Sequence, residues 1–255
     1  MWQRYLTKSL RRYLRYCRRK TDKTAATVLS QNGALRRLIE ASKTISDSYG
    51  LTDFEYVRLY QMVTELKPDY VLECGTGKST FIIAHAMSCN GNGKKLVTME
   101  ESADWAHEQE KAISYFYSHR HASEWFPGSS AELIELATSE TAIERHRVWA
   151  GSCYKAIAPY PYSFMMIDGP ELTDECFVNI DVVNVLKSSD IPISIWIDGR
   201  WPTVAMCRAL FGDKLVTKPG WTHTEIYHAT REDLSRSMKN IRKDMHKMIT
   251  GMKYV

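Results

Sequence analysis

The chain predicts an α/β fold built on a doubly wound, mostly parallel sheet, and four stretches carry that expectation. Val71-Leu-Glu-Cys-Gly-Thr-Gly-Lys-Ser-Thr80 reads as a short apolar strand entering a glycine-punctuated turn and then a helix. Lys95 to Met99 reads as a second strand, ending in Glu100-Glu101. Tyr162 to Ile167 and Ile191 to Ile197 are buried strands that end in Asp168-Gly-Pro and Asp198-Gly-Arg. Strands separated by helix-period segments pack side by side as a parallel sheet, and such sheets bind ligands at their carboxyl edge.

With 255 residues, 44% of them hydrophobic, the chain can bury a substantial core, and it reads as one globular domain with appendages. No apolar run reaches membrane-span length and no signal-peptide core opens the chain. Cys17, Cys74, Cys89, Cys153, Cys176 and Cys207 lie scattered without a Cys-x-x-Cys pair, which predicts free thiols and a reducing, cytoplasmic setting. The net charge of +4 is unevenly distributed: residues 1–24 hold nine Lys or Arg against Asp22 alone, whereas the remainder holds 25 basic and 29 acidic residues.

In residues 1–24, Trp2, Tyr5, Leu6, Leu10, Tyr13, Leu14 and Cys17 recur at helical spacing, with Arg4, Lys8, Arg11, Arg15 and Arg18 on the other side. The pattern predicts a basic amphipathic helix. Such a helix can lie peripherally on an anionic membrane, contact nucleic-acid phosphates, act as an Arg-rich presequence, or pack its apolar stripe on the domain with its charges in water. A polar linker is expected around Thr21 to Thr27. Residues 25–67 then form a helical cover, with helices over Ala34 to Ile45 and Thr52 to Leu66; Thr52-Asp-Phe-Glu55 is a capping-box start and Lys67-Pro68 a stop.

The glycine loop opens the main unit, residues 68–230. Its Lys78-Ser79 suggests a phosphate loop, but that motif needs a glycine five positions before Gly77, where Leu72 stands inside the strand. What remains is an acid, Glu73, at a strand end followed by Gly75-x-Gly77, a turn in which backbone can approach a ligand closely. The plain alternative is a ligand-free strand-to-helix turn. At the second strand end, a carboxylate can accept both hydrogen bonds of a ribose diol, and Glu100 follows the glycine loop at about the expected spacing. Glu101 and Ser102 suit the start of a helix from Ala103 to about Tyr117.

Further along, Leu133 to Ala137 reads as a third strand, with a helical turn over Ala131 to Leu136 as the alternative, and the flanking stretches from His119 to Gly128 and from Thr138 to Ala158 carry no clear period. A helix over Glu175 to Lys187 separates the two Asp-Gly strands, which bring Asp168 and Asp198 to one sheet edge. Thr203 to Leu210 reads as a helix, with strands near Lys214 to Thr217 and Glu225 to Ala229 after it. A basic helix from Arg231 to about Met252 closes the chain, within residues 231–255.

Taken in order, the acid-Gly-x-Gly loop, the acidic second strand end, Ile-Asp168-Gly-Pro and Ile-Asp198-Gly-Arg resemble the class I S-adenosylmethionine-dependent methyltransferases over about Pro68 to Ala229. Within that family the pattern is most similar to small-molecule O-methyltransferases. Ser79 stands where the family has a third glycine. The resemblance implies a Rossmann-like, seven-stranded, mostly parallel sheet whose last strand is antiparallel. It also implies S-adenosylmethionine as cofactor, held by Glu73, Gly75, Thr76, Gly77, Ser79, Glu100 and Asp168. Asp168 and Asp198 become the catalytic pair acting on an unidentified methyl acceptor, most readily at an oxygen, with Asp168 the base that removes its proton. Catechol-type members bind a divalent metal such as Mg²⁺ here with two acids and an Asn; Gly199 replaces that Asn and removes a ligand. Two other readings stand beside this one. The fold could serve as a non-catalytic scaffold tethered by its basic helix, or Lys78 could serve a nucleoside-triphosphate enzyme, against which Leu72 argues.

Overall fold

The computed structural model describes residues 8–45, 50–146, 149–171 and 178–240. Three helices, α1 (Lys8–Gln31), α2 (Gly33–Ile45) and α3 (Asp53–Leu66), precede β1 (Tyr70–Cys74). The chain then alternates through α4 (Lys78–Asn90), β2 (Lys95–Glu100), α5 (Ala103–Ser118), the short α6 (Ala122–Trp125) and β3 (Ile134–Thr138). A hairpin of β4 (Thr141–His146) and β5 (Trp149–Tyr154) comes next, followed by β6 (Phe164–Ile167), α7 (Asp181–Ser188) and β7 (Ile193–Asp198). The described part ends with α8 (Trp201–Phe211), β8 (Leu215–Val216), β9 (His223–Ala229) and α9 (Arg231–Asn240).

Seven strands form one sheet in the order β3-β2-β1-β6-β7-β9-β8. The pairs from β3 to β7 are parallel, and β9 is antiparallel to both β7 and β8. The chain's last strand is therefore the antiparallel one, as expected, and β8 takes the edge beyond it. Strand order reverses between β1 and β6, so the loops leaving these strands form the switch-point crevice where open α/β sheets hold ligands.

Near-continuous apolar strands bury both sheet faces. Leu72, Met165, Ile195 and Ile226 pack with α7 and α8 on one side, and Val71, Phe164, Met166 and Trp196 pack with α2, α3 and α4 on the other. Thr52 caps α3 with the expected box: Glu55 Oε2 accepts from the Thr52 N–H at 2.8 Å. Lys67, at φ 48°, ends the helix in the left-handed region.

Four expectations change. The segment from Thr21 to Thr27 is no linker but the middle of α1. The Thr21, Thr24 and Thr27 hydroxyls return hydrogen bonds to carbonyls three or four residues back, and Ala25 is buried with Val28 and Leu29 packed beside it. Tertiary packing outweighs the low helix propensity of this polar stretch. The aperiodic Thr138 to Ala158 stretch is largely the β4–β5 hairpin, whose outer residues, such as Ile143 at 51% exposure, break the alternation. Leu133 closes a tight turn before β3 rather than opening the strand. Trp2, Tyr5, Leu6, Glu175, Cys176, Phe177 and the chain after Asn240 lie outside the described residues, and the helix expected over Glu175 to Lys187 starts only at Asp181, because Asn179 bridges to Ser152 in extended backbone.

Candidate cofactor and acceptor site

The two loops of the switch point are locked together. Gly75, at φ +90°, donates its N–H to Met99 O at 3.0 Å, while Asp168 and Gly169 both donate to Cys74 O. Glu73 lies fully buried beneath them and accepts hydrogen bonds from Ser79 Oγ and Thr80 Oγ1, both at 2.6 Å. Burial pushes its carboxyl up to about 7, against those two hydroxyls, with Asp168 adding to the rise. Glu73 thus clamps the start of α4 to β1. It shapes the loop from below, as does Ser79, the residue in place of the third glycine.

Gly77 is a different case. Its backbone is extended, and a side chain there would meet only Ser79 Oγ at 3.9 Å. The protein's own packing leaves the space above it open, which is what a ligand laid across the loop requires. The rim is held from α5, where Trp105 Nε1 donates to Thr76 O at 3.1 Å and Gln109 Nε2 donates to Gly77 O at 3.2 Å. Neither residue was singled out in the sequence. Their i, i+4 spacing just after an acidic strand end was the available signal.

Glu100 is buried at the end of β2, and its Oε1 accepts the N–H groups of Glu101 and Ser102 at 3.0 and 2.9 Å. Burial raises its carboxyl. Glu101 does not act as a helix-start acid. It takes the Tyr154 hydroxyl at 2.9 Å and the Glu171 N–H at 2.7 Å, tying the hairpin and the Asp168 loop to β2.

Sheet register aligns the other side of the crevice. Met166 pairs with Trp196, and Trp196 with Glu225. Two residues nearer the carboxyl edge Asp198 pairs with His223, and Asp168 directly follows the end of β6 beside them. The three therefore lie along the carboxyl edge, with Gly75 against Asp168 at one end. Asp198 is pushed up to about 7 by burial, then by Asp168 and Glu55, against the pull of His223 and Arg200. Asp168 is raised to about 6 by the protein around it, opposed by Arg200 at 3.8 Å, although its side chain keeps 46% exposure and water screens part of that effect.

Arg200 comes from the Asp198-Gly-Arg turn. Besides approaching Asp168, its Nη1 donates to Pro170 O at 2.8 Å and Asn179 Oδ1 at 3.1 Å, and the Asn179 amide donates to the Gly169 and Pro170 carbonyls. Among the described residues, no group of three or more His, Cys, Asp or Glu side chains is placed to hold a metal ion. The residues present do not make the three-ligand set that the resemblance would require.

At the other end of this edge, His223 is fully buried and stacked between Trp196, at 3.7 Å between ring centroids, and Trp221, at 4.5 Å. Its Nε2 lies 3.3 Å from Glu225 Oε1 and its Nδ1 3.7 Å from Glu55 Oε1. Arg58 grips Glu225 with two hydrogen bonds, at 2.7 and 3.0 Å, and the Tyr227 hydroxyl adds a third. Burial would raise Glu225, but the bonds from His223, Arg58 and Tyr227 win and bring it down to about 2. The sequence reading missed this cluster; the polar alternation His223-x-Glu225-x-Tyr227 on a strand was its signal.

The fold is that of the class I methyltransferases. The chain is similar to the structure of a Klebsiella pneumoniae protein assigned as an O-methyltransferase, with 14% identity, a TM-score of 0.50 and coverage of 84% of this chain and 100% of the other. It is also similar to a Staphylococcus aureus protein assigned as a caffeoyl-CoA O-methyltransferase, with 8% identity, a TM-score of 0.51 and coverage of 82% and 99%. No protein-family model and no curated protein sequence matches the chain.

Proposed function

We propose that the protein transfers a methyl group from S-adenosylmethionine to an oxygen of a small acceptor. The observation that carries this reading is the open space over Gly77, set in a loop shaped from beneath by Glu73 and bordered by Glu100, with Asp168 and Asp198 beside it. The residues fit the cofactor as follows. Thr76 and Gly77 offer backbone for close approach while Gly75 lets the Asp168 loop pack against them, Glu100 is the ribose acceptor, and Asp168 closes the crevice. The cofactor, when bound, supplies an electrophilic methyl group.

The chain's own part is positioning and proton removal. Burial and neighbouring carboxylates hold Asp198 near neutrality, where a carboxylate can take a proton from an acceptor hydroxyl. Asp168, steadied by Arg200, orients the acceptor. Methyl-labelled S-adenosylmethionine incubated with the full chain and a panel of hydroxyl-bearing small molecules tests the reading. Label recovered on oxygen supports it. Saturable cofactor binding with no transfer to any member of the panel favours the scaffold alternative.

A further inference from the structure

The described part of the basic segment, from Lys8 onward in α1, packs on the fold along one side. In α1, Leu14 and Cys17 are half-buried, and Cys17 lies against Gly220, whose added Cβ would sit 3.1 Å from it. With Ala25, Val28 and Leu29, they turn one side of the helix onto the domain. That side is therefore occupied. The opposite side carries Arg12, Tyr16, Arg19 and Lys23 at i, i+4, i+7 and i+11, all exposed, with Lys20 and Tyr13 flanking them. Tyr16 and Tyr13 are 63% and 51% exposed, and no acid interrupts the stripe.

We propose that this stripe of α1 docks the protein on an anionic phospholipid surface. Two features select that partner. First, cations interleaved with tyrosines suit the headgroup layer, where the charges meet lipid phosphates and the amphipathic phenol rings sit at the boundary. Second, the largest excess of positive charge lies in this segment: residues 1–24 are net +8 and residues 231–255 carry seven basic against three acidic residues, whereas residues 25–230 between them, with 18 basic and 26 acidic residues, are net negative. A nucleic acid long enough to bind tightly would have to follow a basic track across the domain, whereas a planar membrane touches the helix alone.

Flotation of the full chain with phosphatidylcholine vesicles, with and without phosphatidylserine, tests the proposal. The expected result is binding only to the phosphatidylserine vesicles, lost as salt shortens the screening length. The Arg12→Gln/Arg19→Gln/Lys23→Gln variant changes exposed side chains only and should partition about 10²-fold more weakly, the product of three roughly fivefold contributions. Circular dichroism of the same variant establishes that α1 stays helical. Equal binding by variant and parent overturns the proposal, as does equal binding to uncharged vesicles. Tighter binding to a mixed-sequence oligonucleotide than to the anionic vesicles at the same salt also overturns it, in favour of a nucleic-acid partner.

Discussion

Gly75 and Gly169 lie back to back: a Cβ on Gly75 would fall 2.6 Å from the Gly169 amide nitrogen, and a Cβ on Gly169 would fall 2.6 Å from Gly75 Cα. The switch point thus exists because two loops carry no side chain at their contact. Gly75→Ala meets both this backbone and a φ of +90°. It should cost about 2 to 4 kcal/mol, combining the left-handed penalty with overpacking. Gly77→Ala has room and an unstrained backbone, so it should leave the unfolding temperature unchanged and weaken cofactor binding. Thermal unfolding and cofactor titration of the pair separate the two roles; equal destabilisation of both variants contradicts the assignment.

Glu100→Gln keeps an oxygen for the Glu101 and Ser102 N–H groups while removing the charge. If the carboxylate holds the ribose, cofactor affinity should fall by roughly 1 to 2 kcal/mol with little change in stability. A folded variant with parent affinity moves the ribose contact elsewhere.

Arg58→Ala leaves Glu225 buried without its bidentate partner. The side chain of Glu225 is 1% exposed, so water cannot replace the guanidinium, and the loss should be about 3 to 5 kcal/mol in a denaturant titration. A loss below about 1 kcal/mol, the value for an exposed pair, would show that the cluster is not sealed.

Asp181 gives a pH prediction independent of function. It is fully buried, accepts the Tyr154 N–H at 3.0 Å through Oδ1, leaves Oδ2 without a partner among the described residues, and is pushed up to about 8, chiefly by burial. A carboxyl whose pKa is higher in the folded than in the unfolded state favours folding at low pH. That contribution is complete below about pH 4 and is lost as pH rises through about 8. Asp181→Asn should therefore be more stable than the parent at pH 9, by about 1 kcal/mol or more, and lose that advantage at pH 4. A difference that does not change with pH sinks the assignment.

Asp168 and Asp198 should govern turnover more than cofactor affinity. Their carboxyls are raised to about 6 and about 7, and the charge of Asp168 adds to the rise of Asp198. The base works deprotonated, so kcat should climb between about pH 6 and 7 and level off above. Alanine variants of both that keep full turnover would make the carboxylates bystanders.

Much of this was legible before the fold was known, because parallel strands buried on both faces read as apolar runs and their ends are marked by chemistry. Glu73, Glu100, Asp168 and Asp198 each follow such a run, and the structure places all of them at one edge of the sheet. Long-range partnerships were not legible. Nothing local in Tyr154 states that it reaches Glu101, and nothing in Glu55 beyond its capping role points to His223 from the sequence-distant β9. The Thr21 to Thr27 segment was misread for the same reason: its helicity depends on Ala25 finding the core.

The central claim is that the loop from Glu73 to Ser79 cradles S-adenosylmethionine and not a triphosphate. Calorimetric titration of the full chain with S-adenosylmethionine and, separately, with ATP tests it most directly. The account predicts saturable binding of S-adenosylmethionine and much weaker binding of ATP. ATP binding that disappears in Lys78→Ala, with no heat from S-adenosylmethionine, would contradict it.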